Sequence, residues 1–145
     1  MTSQKIIEGC SKEERNFIND SINDYNHSHV PAFLPDTWIP LEYIVKDESK
    51  NIIGGLLSGL GYWGGLQINI LWVREDQRKN GIGTQLLKHV EQDAVSKGAT
   101  ISILDTFDFQ AKEFYLKNGY AIFGELNDFP KGHRRYYLSK KLTGK

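Results

Sequence analysis

The sequence predicts an α/β sandwich built on a mixed β-sheet. Two features carry that expectation: several β-type runs stand in succession, and helical and β-type segments then alternate to the end of the chain. The length, 145 residues, suits one domain over residues 1–145 with one hydrophobic core.

Each element has a local signature. Lys5-Ile6-Ile7 reads as a short apolar strand. Ser11 and Glu14 have the S-x-x-E spacing of a capping box, in which each side chain bonds the other residue's backbone N–H and so opens a helix. Phe17, Ile18, Ile22 and Tyr25 continue along one side of that helix. Pro31, Pro35 and Pro40 break the next segment into turns or short helices, because proline lacks an N–H and clashes with a preceding helical turn. Leu41–Lys46 and Ile52–Leu60 read as a hairpin around Asp47-Glu48-Ser49-Lys50-Asn51, and Leu66–Val73 as the next strand. A loop at 75–79 leads into a helix over 80–97. There Ile82, Leu86, Leu87, Val90 and Ala94 share one face, and Gly98 stops the helix. A strand at 100–105, a helix at about 109–117 and strands at 120–125 and 134–140 complete the chain.

Composition narrows the function. Lys+Arg and Asp+Glu number 18 each, so the net charge is zero, against the basic excess that nucleic-acid binders usually carry. Cys10 stands alone, so no internal disulfide forms and a reducing compartment is compatible. No apolar run approaches the roughly 18 residues of a membrane span, and the start lacks the apolar core of a signal peptide. A soluble cytoplasmic protein is the default expectation. His27 and His29 lack further Cys or His at ligand spacing, so no metal site is expected.

The most informative stretch is Gln77-Arg78-Lys79-Asn80-Gly81-Ile82-Gly83-Thr84, set between a strand and an amphipathic helix. Such a loop can turn several N–H groups toward one point at a helix N-terminus, where the macrodipole also favours an anion. Glycine permits close backbone approach, and Arg78 and Lys79 add positive charge. Two commoner phosphate loops fail. A Walker A loop needs Lys-Ser or Lys-Thr after its second glycine, and Gly83 is followed by Thr84-Gln85. A dinucleotide fingerprint needs a third small residue where Leu86 stands. The remaining pattern, [QR]-x-x-G-x-G/A, resembles the coenzyme A pyrophosphate loop of the GNAT N-acetyltransferase superfamily.

A second block, Asp108-Phe109-Gln110-Ala111-Lys112-Glu113-Phe114-Tyr115-Leu116-Lys117-Asn118-Gly119-Tyr120, looks like the other signature of that superfamily and stands in the right order and spacing. The resemblance covers about residues 41–142. It implies a mixed, mostly antiparallel twisted sheet flanked by helices and splayed at the central strands. It also implies N-acetyl transfer from acetyl-CoA to a primary amine of a small molecule or peptide by direct attack, without nucleic acid or membrane. A non-catalytic acyl-CoA-binding domain is the alternative. An exposed sheet edge or aromatic surface could support a homodimer.

The resemblance further assigns residues. Arg78, Lys79, Asn80, Gly81, Ile82, Gly83 and Thr84 would hold the pyrophosphate, with Asp108 and Ala111 as further cofactor contacts. Leu71, Trp72 and Val73 would pair with the pantetheine arm by strand addition. A backbone N–H near Val73 would stabilise the oxyanion, a term worth roughly 3 kcal/mol per donor in other acyl transfers. Tyr115 would protonate the leaving thiolate, a share on the order of 10²-fold.

Two positions depart from the family. Asp108 stands where many members have Asn, and ionised Asp only accepts hydrogen bonds. Gln67 stands near where many lysine acetyltransferases carry a basic Glu. Deprotonation of the amine is expected to go through water or through Glu75, Asp105, Asp108 or His133. The loop Asp128-Phe129-Pro130-Lys131-Gly132-His133, with Trp38, Tyr62 and Trp63, could wall an acceptor site and receive an ammonium by cation–π contact.

Overall fold

The computed structural model describes residues 3–142. The chain forms two compact units, Met1–Ala32 and Phe33–Lys145. The first holds helix α1, Lys12–His29. Its capping box is present in full: Glu14 N–H donates to Ser11 Oγ (3.1 Å) and Ser11 N–H to Glu14 Oε1 (2.8 Å). Phe17, Ile18, Ile22 and Tyr25 are exposed on it. Lys5-Ile6-Ile7 is not a strand, and Ile6 and Ile7 are exposed. A three-residue run cannot hold an extended ladder without a neighbouring strand to satisfy its backbone groups.

The second unit is a six-stranded sheet in the order β1-β2-β3-β4-β6-β5. The strands are β1 Trp38–Lys46, β2 Ile52–Gly61, β3 Gly65–Val73, β4 Ile101–Phe107, β5 Ala121–Asn127 and β6 Arg134–Lys141. All neighbours are antiparallel except β3 and β4. That parallel pair needs a crossover, supplied by α2, Ile82–Ser96. The short helix α3, Lys112–Lys117, joins β4 to β5. The expected mixed, mostly antiparallel sheet with flanking helices is therefore present. β1 starts earlier than Leu41 and includes Pro40, which an edge strand tolerates because the missing N–H breaks no inner ladder.

Two glycines fix the ends of the helices. Gly98 (φ +101°) follows α2, with Gly98 N–H donating to Val95 O and Ala99 N–H to Ala94 O. Gly119 (φ +92°) follows α3 in the same way, with Tyr120 N–H donating to Tyr115 O (3.1 Å). Both are Schellman caps, whose left-handed residue is favourable only for glycine. Between α2 and the sheet lies the core, with Leu56, Leu60, Leu66, Leu87, Val90 and Leu138 essentially inaccessible.

Candidate active site

The central strands part. β3 and β4 pair only at Gly65–Ile101, Leu66–Ser102 and Gln67–Ile103. In the β2–β3 ladder Ser58 faces Ile68 while Leu57 faces Ile70, so Asn69 is an extra residue at the point of divergence. A bulge of this kind bends its strand and interrupts pairing. The gap opens into a cleft of about 800 Å³. This is the expected splay.

Leu71, Trp72 and Val73 of β3 line one wall. Gly54 faces α2, since a Cβ there would lie 3.2 Å from Ile82, and its cross-strand partner Val73 shares that side. Trp72 consequently points to the opposite side, where it is 45% exposed.

The cradle sits where the loop meets α2. Lys79 (φ +71°) and Gly81 (φ +83°) are both left-handed. The first helical bond runs from Gln85 N–H to Gly81 O (2.9 Å), so the N–H groups of Gly81, Ile82, Gly83 and Thr84 precede the ladder. Gly81 is the N-cap and has no side chain to occupy them, where Ser or Asp would. Arg78 Nε donates to Val73 O (3.0 Å) and ties the loop to the end of β3. Gly83 brings the first turn of α2 against Phe114; an added Cβ would lie 3.3 Å from Phe114 Cζ. Arg78, Lys79, Gly81, Ile82, Gly83 and Thr84 all line the cleft.

On the far wall stand Leu104, Asp105 and Thr106 of β4 and Phe109, Ala111 and Tyr115 beyond it. The helix expected from about 109 begins only at Lys112. Gln110 Oε1 accepts from Phe107 N–H (2.9 Å) and bonds Thr106 Oγ1 (3.2 Å), which holds 107–110 as a turn. Tyr115 is buried, with its ring edge-on to Phe114 (5.2 Å) and Tyr120 (5.8 Å). Burial, assisted by the Asp105 carboxylate, pushes its phenol up to about 12, so it is protonated at neutral pH. Neighbouring Tyr120 is committed elsewhere. Its hydroxyl donates to Glu91 Oε2 (2.8 Å) and shares a bond with Ser102 Oγ (2.7 Å), while Lys140 Nζ donates to Glu91 Oε1 (2.8 Å).

Asn80 and Asp108 do not line the cleft. Asp108 Oδ1 pairs with His133 Nδ1 (2.9 Å), and Oδ2 accepts from Arg134 N–H (2.9 Å). Partial burial works against its charge, but these bonds outweigh it and hold the carboxyl below the usual range. Trp38, Tyr62 and Trp63 also stay away from the cleft. Trp38 lies over Gly59, and Tyr62 is buried edge-on to Trp63. The 128–133 loop does approach, through Phe129 against Phe107 (6.0 Å) and His133 against Phe109 (5.2 Å). Among the described residues no cluster of three or more His, Cys, Asp or Glu is placed to hold a metal.

Glu91 was missed in the sequence, although a lone carboxylate beside Val90 on an apolar stripe is its signal. Thr106 lay outside both motifs, and Gln110 and Phe114, inside the second, were not singled out as cleft residues.

A mixed sheet opened at its parallel pair, with free helix N–H groups at one end of the opening and a protonated phenol on its wall, is suited to a long phosphate-bearing ligand laid along the sheet. The sequence matches the acetyltransferase (GNAT) family over residues 12–120. It is 34% identical over 96 residues to blasticidin-S acetyltransferase of Streptomyces morookaense, covering 66% of this chain and 70% of that one. An acetyltransferase of Agrobacterium fabrum is 28% identical over 130 residues, covering 90% and 92%. The crystal structure of an acetyltransferase from Bacillus cereus superposes with a TM-score of 0.82 at 37% identity, covering 94% of this chain and 97% of that one. The chain belongs to the GNAT family and is an acyl-CoA-dependent N-acyltransferase.

Proposed function

We propose that this chain moves an acetyl group from acetyl-CoA to a primary amine of a small molecule or peptide, by direct attack of the amine, as a single domain in the cytoplasm. The observation that carries this reading is Tyr115, a protonated phenol on the wall of the cleft into which the α2 cradle opens. When bound, acetyl-CoA supplies the thioester carbonyl that an amine attacks. The residues fit such a co-substrate. The N–H groups of Gly81–Thr84, with Lys79 and Arg78, suit its pyrophosphate. Past Gln67, the β4-facing backbone edge of β3 has no ladder partner, which suits an extended arm carrying amides. Tyr115 holds a proton at Oη for a departing thiolate of ordinary pKa ~8.5. The names of relatives support a small-molecule acceptor: one acetylates blasticidin-S, and a less similar fold neighbour is an aminoglycoside 6'-N-acetyltransferase crystallised with coenzyme A.

Two measurements test the reading. Acetyl-CoA at about 100 times its dissociation constant adds roughly 2.7 kcal/mol to the stability of the folded chain, read as a thermal shift. Free thiol release over polyamines, aminoglycosides, amino acids and lysine peptides then separates turnover from binding. No thermal shift at saturating acetyl-CoA overturns the cofactor assignment.

A further inference from the structure

We infer that Asp105 is the acceptor-binding residue of the cleft, and that its free Oδ2 receives the ammonium of an amine flanked by an aromatic or apolar group. This inference rests on the acetyltransferase reading and deepens it. The cleft is bipolar. Its cations, Arg78 and Lys79, stand at the α2 end with the helix N-terminus. Asp105 is the only carboxylate among its described lining residues and stands on β4, across the gap. One end suits an anionic donor, and the other suits a cationic acceptor.

The side of the sheet agrees. Leu104 and Thr106 are buried, and Asp105 between them alternates to the face opposite. Trp72, opposite Val73 in alternation, points to that same face. Tyr115 belongs to the core cluster with Leu104 and α2. The phenol and the carboxylate thus border the opening from its two sides. They are near enough for Asp105 to help hold the phenol protonated.

The carboxylate is pre-oriented and half committed. Arg135 Nε donates to Asp105 Oδ1 (3.0 Å), and Arg135 Nη2 stands 2.9 Å from the same oxygen as an ion pair. Arg135 is itself boxed by the rings of Phe107, Phe129 and Tyr137 at 5.2–5.3 Å. Among the described residues no group bonds Oδ2, which is left for a ligand. The rival carboxylates lack this freedom or this place: Asp108 has both oxygens engaged, and Glu75 lies outside the cleft in the 3₁₀ turn Glu75–Gln77. Beside Asp105, Phe109 lines the cleft, is 60% exposed and stacks on Phe107 (5.5 Å, 3°). Its outer face suits an aromatic or apolar neighbour of the ammonium.

The test uses benzylamine, benzyl alcohol and coenzyme A as probes of the whole chain, by calorimetry or ligand-observed NMR. Benzylamine is expected to bind the wild type, and Asp105→Asn to weaken it tenfold or more. Benzyl alcohol is expected to bind both forms with the same lower affinity. Arg135→Met, which removes the competing cation, is expected to leave benzylamine binding unchanged or tighter. Coenzyme A affinity, expected unchanged in both variants, certifies their fold and reports the donor end separately. Equal benzylamine binding to wild type and Asp105→Asn, no benzylamine binding at all, or loss of it in Arg135→Met overturns the assignment. Loss of coenzyme A binding in the wild type overturns the acetyltransferase reading instead.

Discussion

Tyr115 and Tyr120 are both buried, and their rings are 5.8 Å apart. Their substitution by Phe should nevertheless have opposite consequences. Among the described residues no protein group bonds the Tyr115 hydroxyl. Its removal therefore orphans nothing, and stability should change by less than about 0.5 kcal/mol. Tyr120→Phe strips a donor from the buried Glu91 carboxylate and a partner from Ser102. A cost of about 2 kcal/mol is expected, or roughly 6 °C in Tm for a chain of this size. Kinetics should invert the order. Tyr115→Phe removes the proton held for the leaving thiolate and should slow single-turnover thiol release about 10²-fold, equivalent to about 2.7 kcal/mol, with acetyl-CoA affinity unchanged. Tyr120→Phe should keep its turnover below its own Tm. Thermal melts, calorimetry with acetyl-CoA and single-turnover thiol release on both variants decide the matter. An undiminished rate in Tyr115→Phe would remove the acid role. A fall in its Tm as large as that of Tyr120→Phe would show that the hydroxyl is a structural bond after all.

Three further outcomes follow. Gly83→Val should abolish acetyl-CoA binding in calorimetry, because its branched side chain starts 3.3 Å from Phe114 Cζ and crowds the N–H groups of the cradle; unaltered affinity would contradict the pyrophosphate site. The rate kcat/KM should rise with pH as the acceptor amine loses its proton and show no fall from Tyr115 up to pH ~10, since the phenol titrates at about 12; a descending limb centred near 10 would contradict the buried, protonated phenol. Bonds from Lys97, then Tyr43, hold the Asp93 carboxyl below its usual range. A depressed folded pKa gives stability that is present above the usual carboxylate value of about 3.9 and lost as pH falls through the folded one, so chemical unfolding of Asp93→Asn should show a shallower loss between roughly pH 5 and 2 than the wild type; identical slopes would refute the linkage.

The parts legible in the sequence were those fixed by short-range chemistry. Gly98 marks the end of α2 because the left-handed cap penalises any Cβ. Gly81 and Gly83 mark the cradle, and short apolar runs mark β2 and β3. Longer-range consequences were not legible. Lys5–Ile7 has the residues of a strand and no partner to complete one. The start of α3 depends on Gln110 reaching back to Phe107 and Thr106. Asp105 looked like any solvated carboxylate until the β4–β6 register set Arg135 beside it, thirty positions away in sequence. Asp108, placed by its motif near the cofactor, is instead claimed by His133 and Arg134, partners that only the fold brings near.

The opening itself has a physical cause. A parallel pair at the centre of a sheet should be the most completely bonded part of it, yet β3 and β4 share three residue pairs and then separate. The extra residue at Asn69 turns β3 away, and the tie from Arg78 to Val73 O anchors its far end to the loop rather than to β4. Backbone groups on the facing edges are thereby left without ladder partners at a depth where such groups are normally paired. A ligand with its own amides would complete the interrupted ladder, which makes binding energy available along β3 beside the cradle. Closing the gap with protein would satisfy the sheet and destroy the cleft. The sheet therefore gives up some of its own pairing at a place where the proposed substrate would restore it.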